Sequence, residues 1–591
     1  MKSRKRSLLS ILLALLICVS AFAPFSALTA SAATDSSVKV TADYAWQDNY
    51  VTNEDGSKTY TISTAADLQA LARTVIGGTD FDGHTILLAN DIVINEYDEN
   101  NNATHWAAGT AYPEYKIDSI GYKAAYFKGT FDGQNHTISG AYLPIVNSHI
   151  GLFGILDGAT IKNLSIENSY ISSAFRYMGG IAAMACDDDG DGDENIVENC
   201  SVDAIINCSY NSTTSGNQTM VGGIVGRVED VTLKVTNCSF TGQANIVDAD
   251  SAIGGMVGQV VSGSLSVKDC INEGEINGTK NAGGVVGYSG AGVTVDGFVN
   301  TGAITATGGN NAGEVVGYIY SSVSIKNAIV MGSTVGSSSS GGVFSGYGGN
   351  YANAALTIEK SAGVANGRNV VRSTGANYAG TTYAENTTEA DYLVDTKEEL
   401  FSKVIFTDNG ASIRISGGGI RFETSVNKFA FEYLCDYFKD TYTVSIGTIV
   451  THESEIDGTT NADIFDVINN GTEDTHYLNI PATVGNWFKD DATGTSFAGS
   501  VMPVNESNYS KAFTAVGYVT LTNISDRTTA TYYSDATSTR TIAAVAEAAY
   551  RENSATQDDV FKYAILVDGV ANGTYSRYTD DQRKALLNFF Q

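Results

Sequence analysis

Proline is nearly missing from this chain, with five residues in 591 against 62 glycines. That ratio excludes proline-rich segments as an organising element and leaves glycine to make the turns. Basic residues are scarce too, 35 against 65 acidic ones, for a formal charge of −30. A nucleic-acid-binding surface needs the opposite sign, so that class is excluded. Histidine is limited to His84, His105, His136, His149, His452 and His476, and none of them makes a zinc-binding spacing. There is no Gly-x-Ser-x-Gly elbow, no phosphate-binding loop and no dinucleotide fingerprint. Beyond the N-terminus no stretch approaches the ~20 apolar residues of a membrane-spanning helix.

The one long apolar run, Leu8 to Phe22, follows the basic residues Lys2, Arg4, Lys5 and Arg6 and precedes Ala30-Ser31-Ala32. That order reads as an export leader over residues 1–32. Removing its four cations takes the charge from −30 to −34. So acidic a chain suits solubility outside the cell and the capture of cations such as calcium. The expected location is secreted, or held non-covalently at the cell surface.

What the chain does have is a repeat. Its first half is Gly-apolar-apolar-Gly, at Gly151–Gly154, Gly223–Gly226, Gly255–Gly258 and Gly284–Gly287, with degenerate copies from Gly180, Glu314 and Gly342. Its second half is a short strand, as in Ile161-Lys-Asn-Leu, Val197-Glu-Asn-Cys, Val235-Thr-Asn-Cys and Val267-Lys-Asp-Cys. Successive first halves begin 29, 43, 32, 29, 30 and 28 residues apart. A period near 30 with two-residue alternation, rather than 3.6, predicts a strand-built solenoid, a parallel β-helix. Glycines at fixed positions would serve where the backbone turns sharply or approaches another coil. Upstream, Thr64 and Asp67 form a capping-box start for a helix whose Leu68, Leu71, Ala72 and Val75 face one way, a plug on the first coil.

Six cysteines remain once Cys18 leaves with the leader. Cys200, Cys238 and Cys270 share the repeat position of Leu164, Phe298 and Ala328, so they read as an inward column of thiols, with a disulfide between adjacent rungs, of poorer bridge geometry, as the alternative. Cys186 and Cys208, near the 43-residue unit, are the better candidates for a disulfide. The same unit holds one local motif. Asp187, Asp189, Asp191, Asp193 (by its carbonyl) and Glu198 occupy positions 1, 3, 5, 7 and 12 of a calcium loop, with Gly192 at the tight turn. Glu194 at position 8 and flanking strands depart from the usual pattern, and the plain alternative is a solvated acidic loop. The expected role of calcium is structural: seven acids in twelve residues repel one another without a cation.

The stretch Phe127-Lys-Gly-Thr-Phe-Asp-Gly-Gln-Asn-His-Thr-Ile-Ser-Gly140, with Gly151-Leu-Phe-Gly154 and Ile161-Lys-Asn-Leu164, resembles the GLUG-motif proteins. The resemblance covers roughly residues 58–375. It implies a pectin-lyase-like right-handed β-helix on a bacterial surface, and related repeats accompany some secreted peptidases. The domain plan is thus a leader (1–32), a lead-in (33–57), the helix of coils (58–375), a linker (376–388) and an α+β or sandwich-like domain (389–591). In that last part Ala411-Ser-Ile-Arg414, Gly419-Ile-Arg-Phe422 and Asn508-Tyr-Ser-Lys-Ala-Phe513 resemble an accessory module of secreted clostridial surface proteins. Helices are expected at 428–438, 541–552 and 580–590.

Two function classes follow. One is a non-catalytic surface rod that binds an extracellular glycan or cell-surface macromolecule. The other is a carbohydrate-active enzyme, lyase or hydrolase, using a groove on the coils, with the loops 93–116 and 183–199 as walls. An accessory part of a secreted peptidase is a third reading, carried by the resemblance alone. Regular repeats, abundant tyrosine and thin catalytic signatures favour the first.

Overall fold

The computed structural model describes residues 37–541 except 97–105, 107–111, 145–147, 212–217, 310, 337–340, 407–409, 415–418, 474–475, 503–510 and 538, together with Val545. The leader, the helix expected at 580–590 and nearly all of that at 541–552 therefore lie outside the described residues. The protein is mainly β, and large parallel sheets dominate it. The chain visits three sheets in rotation, and each pass pairs in parallel with the pass before. One pass runs through Ser251–Gly254, Val257–Val260 and Gly263–Asn272, and the next through Asn281–Gly283, Val286–Ser289 and Gly292–Asn300. The first sheet has six strands and the second eight, from Phe153–Asp157 to Val371–Thr374.

In-register pairing stacks like on like. Ile161, Val197, Val235, Val267, Val295, Ile325 and Ile358 follow one another in the third sheet as direct partners, all buried. Each such side chain contributes roughly 1.5–3 kcal/mol when fully removed from water. The cysteines sit in a parallel column: Leu164 partners Cys200, and Cys270 partners Phe298, which partners Ala328. Each thiol of the column reaches a backbone carbonyl, as Cys238 Sγ does to Thr236 at 3.3 Å. All six cysteines of residues 37–541 are free, so the expected Cys186–Cys208 bridge is corrected. These two residues end strands of different sheets, and each thiol meets a carbonyl of the neighbouring pass, Leu156 or Phe175.

The glycines and asparagines of the repeat divide two tasks. A Cβ on Gly226 would lie 2.5 Å from the Met178 carbonyl oxygen and 2.6 Å from that of Ala183, so the Gly-apolar-apolar-Gly corner needs glycine for close approach. The left-handed backbone is supplied elsewhere, at Asn163, Asn199, Asn237, Asp269, Gly297, Asn327 and Lys360, with φ between 43° and 88°. Asparagine tolerates that region better than other side chains. Its amide also joins adjacent passes: Asn199 Nδ2 donates to Asn163 Oδ1 at 3.0 Å, and Asn237 Nδ2 to Asn199 Oδ1 at 2.8 Å.

Glu314, which replaces glycine in one repeat, is fully buried. It pairs with Arg368 at 2.7 Å and accepts from Asn300 Nδ2 at 3.0 Å and the Gly332 amide at 2.7 Å. At the other end, helix α1 (Ala65–Ile76) has the expected capping box, Thr64 with Asp67. Its Leu68, Leu71, Ala72 and Val75 enter the same buried cluster as Phe81, Ile86 and Phe127. The parallel pairing continues past residue 375: Gly380–Tyr383 pairs with Ala355–Glu359, and Leu393–Val394 with Ala362–Val364. The stretch 376–388 is thus part of a further pass rather than a linker.

Two antiparallel sheets follow. One is built on Gly419–Val426 and Gly494–Val501, the other on Tyr442–His452 and Ala512–Asn523. Helix α2 (Lys428–Tyr437) buries Phe431 and Leu434 with Val299, Ile329 and Met331 of the coils, so module and coil stack share one apolar cluster.

Substitution of Gly226 by Ala is expected to cost about 1–3 kcal/mol through overpacking against fixed backbone. Asn199→Val should cost about 1–2 kcal/mol more than Asn199→Gly, because a β-branched residue resists positive φ. Urea unfolding of the three variants checks both; equal midpoints for the Asn199 pair would refute the role of the corner.

Candidate functional site

The outward column of the second sheet collects chemistry. Its register runs Ile155, Met184, Arg227, Gln259, Tyr288, Tyr318, Tyr347 and Ser373. Coils ~4.8 Å apart hold like rings at stacking distance. Tyr288 and Tyr318 stack at 5.0 Å between centroids with planes 6° apart, and Tyr318 and Tyr347 at 5.2 Å. Tyr320 stacks on Tyr288 at 5.8 Å, and the exposed Tyr351 tilts against Tyr320 at 4.1 Å, widening the strip to five rings. Burial raises the Tyr288 phenol well above its ordinary range.

At the head of the same column the polar groups converge. Arg227 Nη1 donates to Tyr177 Oη at 2.7 Å, its guanidinium lies 4.9 Å from the ring centroid of Tyr177, and it pairs with Glu229. The His149 ring lies 5.2 Å from that of Tyr177. Burial, then the Arg227 and Arg176 charges, lowers the His149 imidazole to about 4. A cleft of about 190 Å³ opens here between Tyr126, His149, Cys186, Asp188 and Glu229. Burial pushes the Tyr126 phenol and the Cys186 thiol up to about 12, so neither ionises near neutrality. Shifted groups gathered in a cleft mark a site candidate, though ion-pair networks shift groups as well.

The acidic loop borders this cleft. Asp187 and Asp189 come together with Asp157 of the preceding pass, their oxygens within 4.8 Å of one another. Asp191 and Asp193 stay outside that group: Asp191 Oδ1 accepts from the Asp193 amide at 2.9 Å. Glu198 lies within the strand Asn195–Cys208, partnered by Lys162 and Thr236, because the chain re-enters the sheet at Asn195. Three carboxylates suit a hard cation in chemical type. Yet Lys128 already places its ammonium 2.8 Å from Asp157 and 2.6 Å from Asp189. One positive charge of the protein's own thus already stands beside two of the three carboxylates. Burial raises the Asp157 carboxyl, and Lys128 opposes that rise.

The tyrosine column was open to sequence reasoning, since Gly287-Tyr288, Gly317-Tyr318 and Gly346-Tyr347 place tyrosine after the second glycine in three successive repeats. No local pattern announces Lys128, Asp157 or Arg227. His84 and His136 link neighbouring passes, His84 Nδ1 accepting from the Lys58 amide and His136 Nδ1 meeting Asp91.

No family model matches this sequence, and no curated protein matches it. Among solved structures the chain is similar to a "putative immunoglobulin A1 protease from Bacteroides ovatus" at 15% identity. The likeness covers 56% of this chain and 86% of that one with a TM-score of 0.34, a level from which nothing about activity follows.

Two outcomes test the head of the column. His149 binds fewer protons folded than unfolded below its ordinary value of 6.5, so its contribution is present above that pH and is lost as pH falls towards about 4. Up to about 3 kcal/mol of acid sensitivity should vanish in His149→Gln, read as urea midpoints at pH 7 and pH 4.5. Lys128→Met should destabilise the fold by about 2 kcal/mol by leaving Asp157 buried without its cation. Thermal melting of the intact chain with calcium and with chelator decides the calcium expectation: a calcium-dependent rise keeps it, and identical curves remove it.

Proposed function

We propose that this chain is an exported right-handed parallel β-helical rod that binds an extended glycan along the outer face of its second sheet. The observation that supports this most directly is the Tyr288–Tyr318–Tyr347 stack, flanked by Tyr320 and Tyr351. From Arg227 to Tyr347 the column spans four coil steps, roughly 19 Å at ~4.8 Å per step. A linear polymer lying along it meets aromatic surface at one end and the half-buried Arg227 side chain at the other. Aromatic rings present apolar faces and edges to sugar C–H groups while their hydroxyls stay wet. Calcium, if the protein takes it up, would order the acidic loop at the head of this face.

A second reading, a polysaccharide lyase or hydrolase on the same face, draws on the titratable groups around His149, Tyr177, Arg227 and Glu229. A glycan array with the full chain, run beside an assay for new unsaturated or reducing ends, separates the two. The binding reading expects retention of one glycan class without turnover, and Tyr318→Ala/Tyr351→Ala should weaken it about tenfold, near 1.4 kcal/mol. Turnover abolished by His149→Gln would replace the first reading with the second.

A further inference from the structure

The coil stack and the C-terminal module enclose a second cleft, of about 590 Å³, on a different face from the tyrosine column. That volume lies in the range of ligand sites. The cleft is held open by fixed parts: α2 and the coils share an apolar cluster, Asn427 Nδ2 donates to the Asn327 carbonyl at 3.2 Å, and Tyr433 Oη to Glu273 at 2.6 Å. In a chain with 35 cations against 65 acids, four lysines line it: Lys268, Lys326, Lys360 and Lys428. Lys428 is engaged by Asp490 at 2.7 Å, and Lys360 lies 4.8 Å from the centroid of the Phe406 ring. The acids facing the same space are Asp269, Asp296 and Glu432.

The order of charge along the stack is specific. Lys268 partners Asp296, and Asp296 partners Lys326, so the third sheet presents plus, minus, plus on successive coils. Both lysines are exposed, and neither has an ion pair within 4 Å among the described residues. At ~4.8 Å per coil their Cα atoms stand roughly 9.6 Å apart. Asp296 is held in place by Asn327 Nδ2 at 2.6 Å.

We propose that this cleft binds an acidic polysaccharide carrying its charge on alternate sugars. A polymer lying along the stack would set successive carboxylates on Lys268 and Lys326 and an uncharged sugar over Asp296, with Phe406 and Phe429 against its apolar faces. Asp296 repels a polymer charged on every sugar, so it acts as the selecting residue. The overall negative charge of the protein is compatible with this ligand because charges beyond about 8–10 Å are screened at physiological salt. It stays incompatible with the far denser charge of nucleic acid.

The test is calorimetric titration of the full chain with three probes: hyaluronan oligosaccharides (one carboxylate per disaccharide), oligogalacturonate (one per sugar) and uncharged dextran. Hyaluronan should bind, more weakly at high salt, and the other two should not. Lys268→Gln/Lys326→Gln should weaken it about tenfold with an unchanged melting temperature, since both side chains are exposed. Asp296→Asn should admit oligogalacturonate. No hyaluronan binding, equal binding of oligogalacturonate, or an unaffected double-lysine variant overturns the proposal. Binding lost in Tyr318→Ala but kept in the lysine variant assigns the glycan to the tyrosine face and overturns it too. The converse supports the cleft as the hyaluronan site and leaves the tyrosine face to the glycan array.

Discussion

Parallel in-register pairing between one pass of the chain and the next is the constraint from which the remaining features follow. Each pass gives its amides and carbonyls to the passes on either side, so equivalent residues are held ~4.8 Å apart whether or not their side chains suit one another. Side chains must then tolerate their own kind as nearest neighbours. Valine and isoleucine do so inside, as the column from Ile161 to Ile358 shows. Asparagines do so at the corner by passing an amide hydrogen bond up the stack, and tyrosines do so outside by stacking rings. Like charges cannot, and along Lys268, Asp296 and Lys326 the sign alternates.

This constraint also governs what could be read in the sequence. Columns are visible because the same letter returns after about 30 residues, which is how Cys200, Cys238 and Cys270 disclose an inward position before any coordinates. The corner was visible as letters but not as physics. Asn163, Asn199 and Asn237 recur as regularly as the glycines, yet only backbone angles show that asparagine makes the left-handed turn. The pass through Gly380–Tyr383 escaped notice because it lacks the two-glycine signature, although its strand pairs like the others.

The candidate site was less legible, for a reason of distance. A twelve-residue motif offers five calcium ligands in a row, but the sheet claims the end of that motif at Asn195 and carries Glu198 away with it. In its place stands Asp157 from the preceding pass, and the balancing charge comes from Lys128, some sixty residues upstream of the loop. Residues that meet only because passes stack leave no local trace unless they repeat, and Lys128 and Asp157 do not. The tyrosines do repeat, which is why their column has a sequence signal and the Arg227–Tyr177 contact has none.

A stack of near-equivalent passes has a translational symmetry, and recombination between repeats can in principle lengthen or shorten it by whole units. Glu314 breaks that symmetry. Its carboxylate lies in the interior and is matched by one guanidinium, from Arg368, farther along the stack. Loss of the pass that carries Arg368 would strand a buried charge, at a cost of about 3–5 kcal/mol. The pair therefore works as a gauge: it fixes the spacing between the pass of Glu314 and the pass of Arg368.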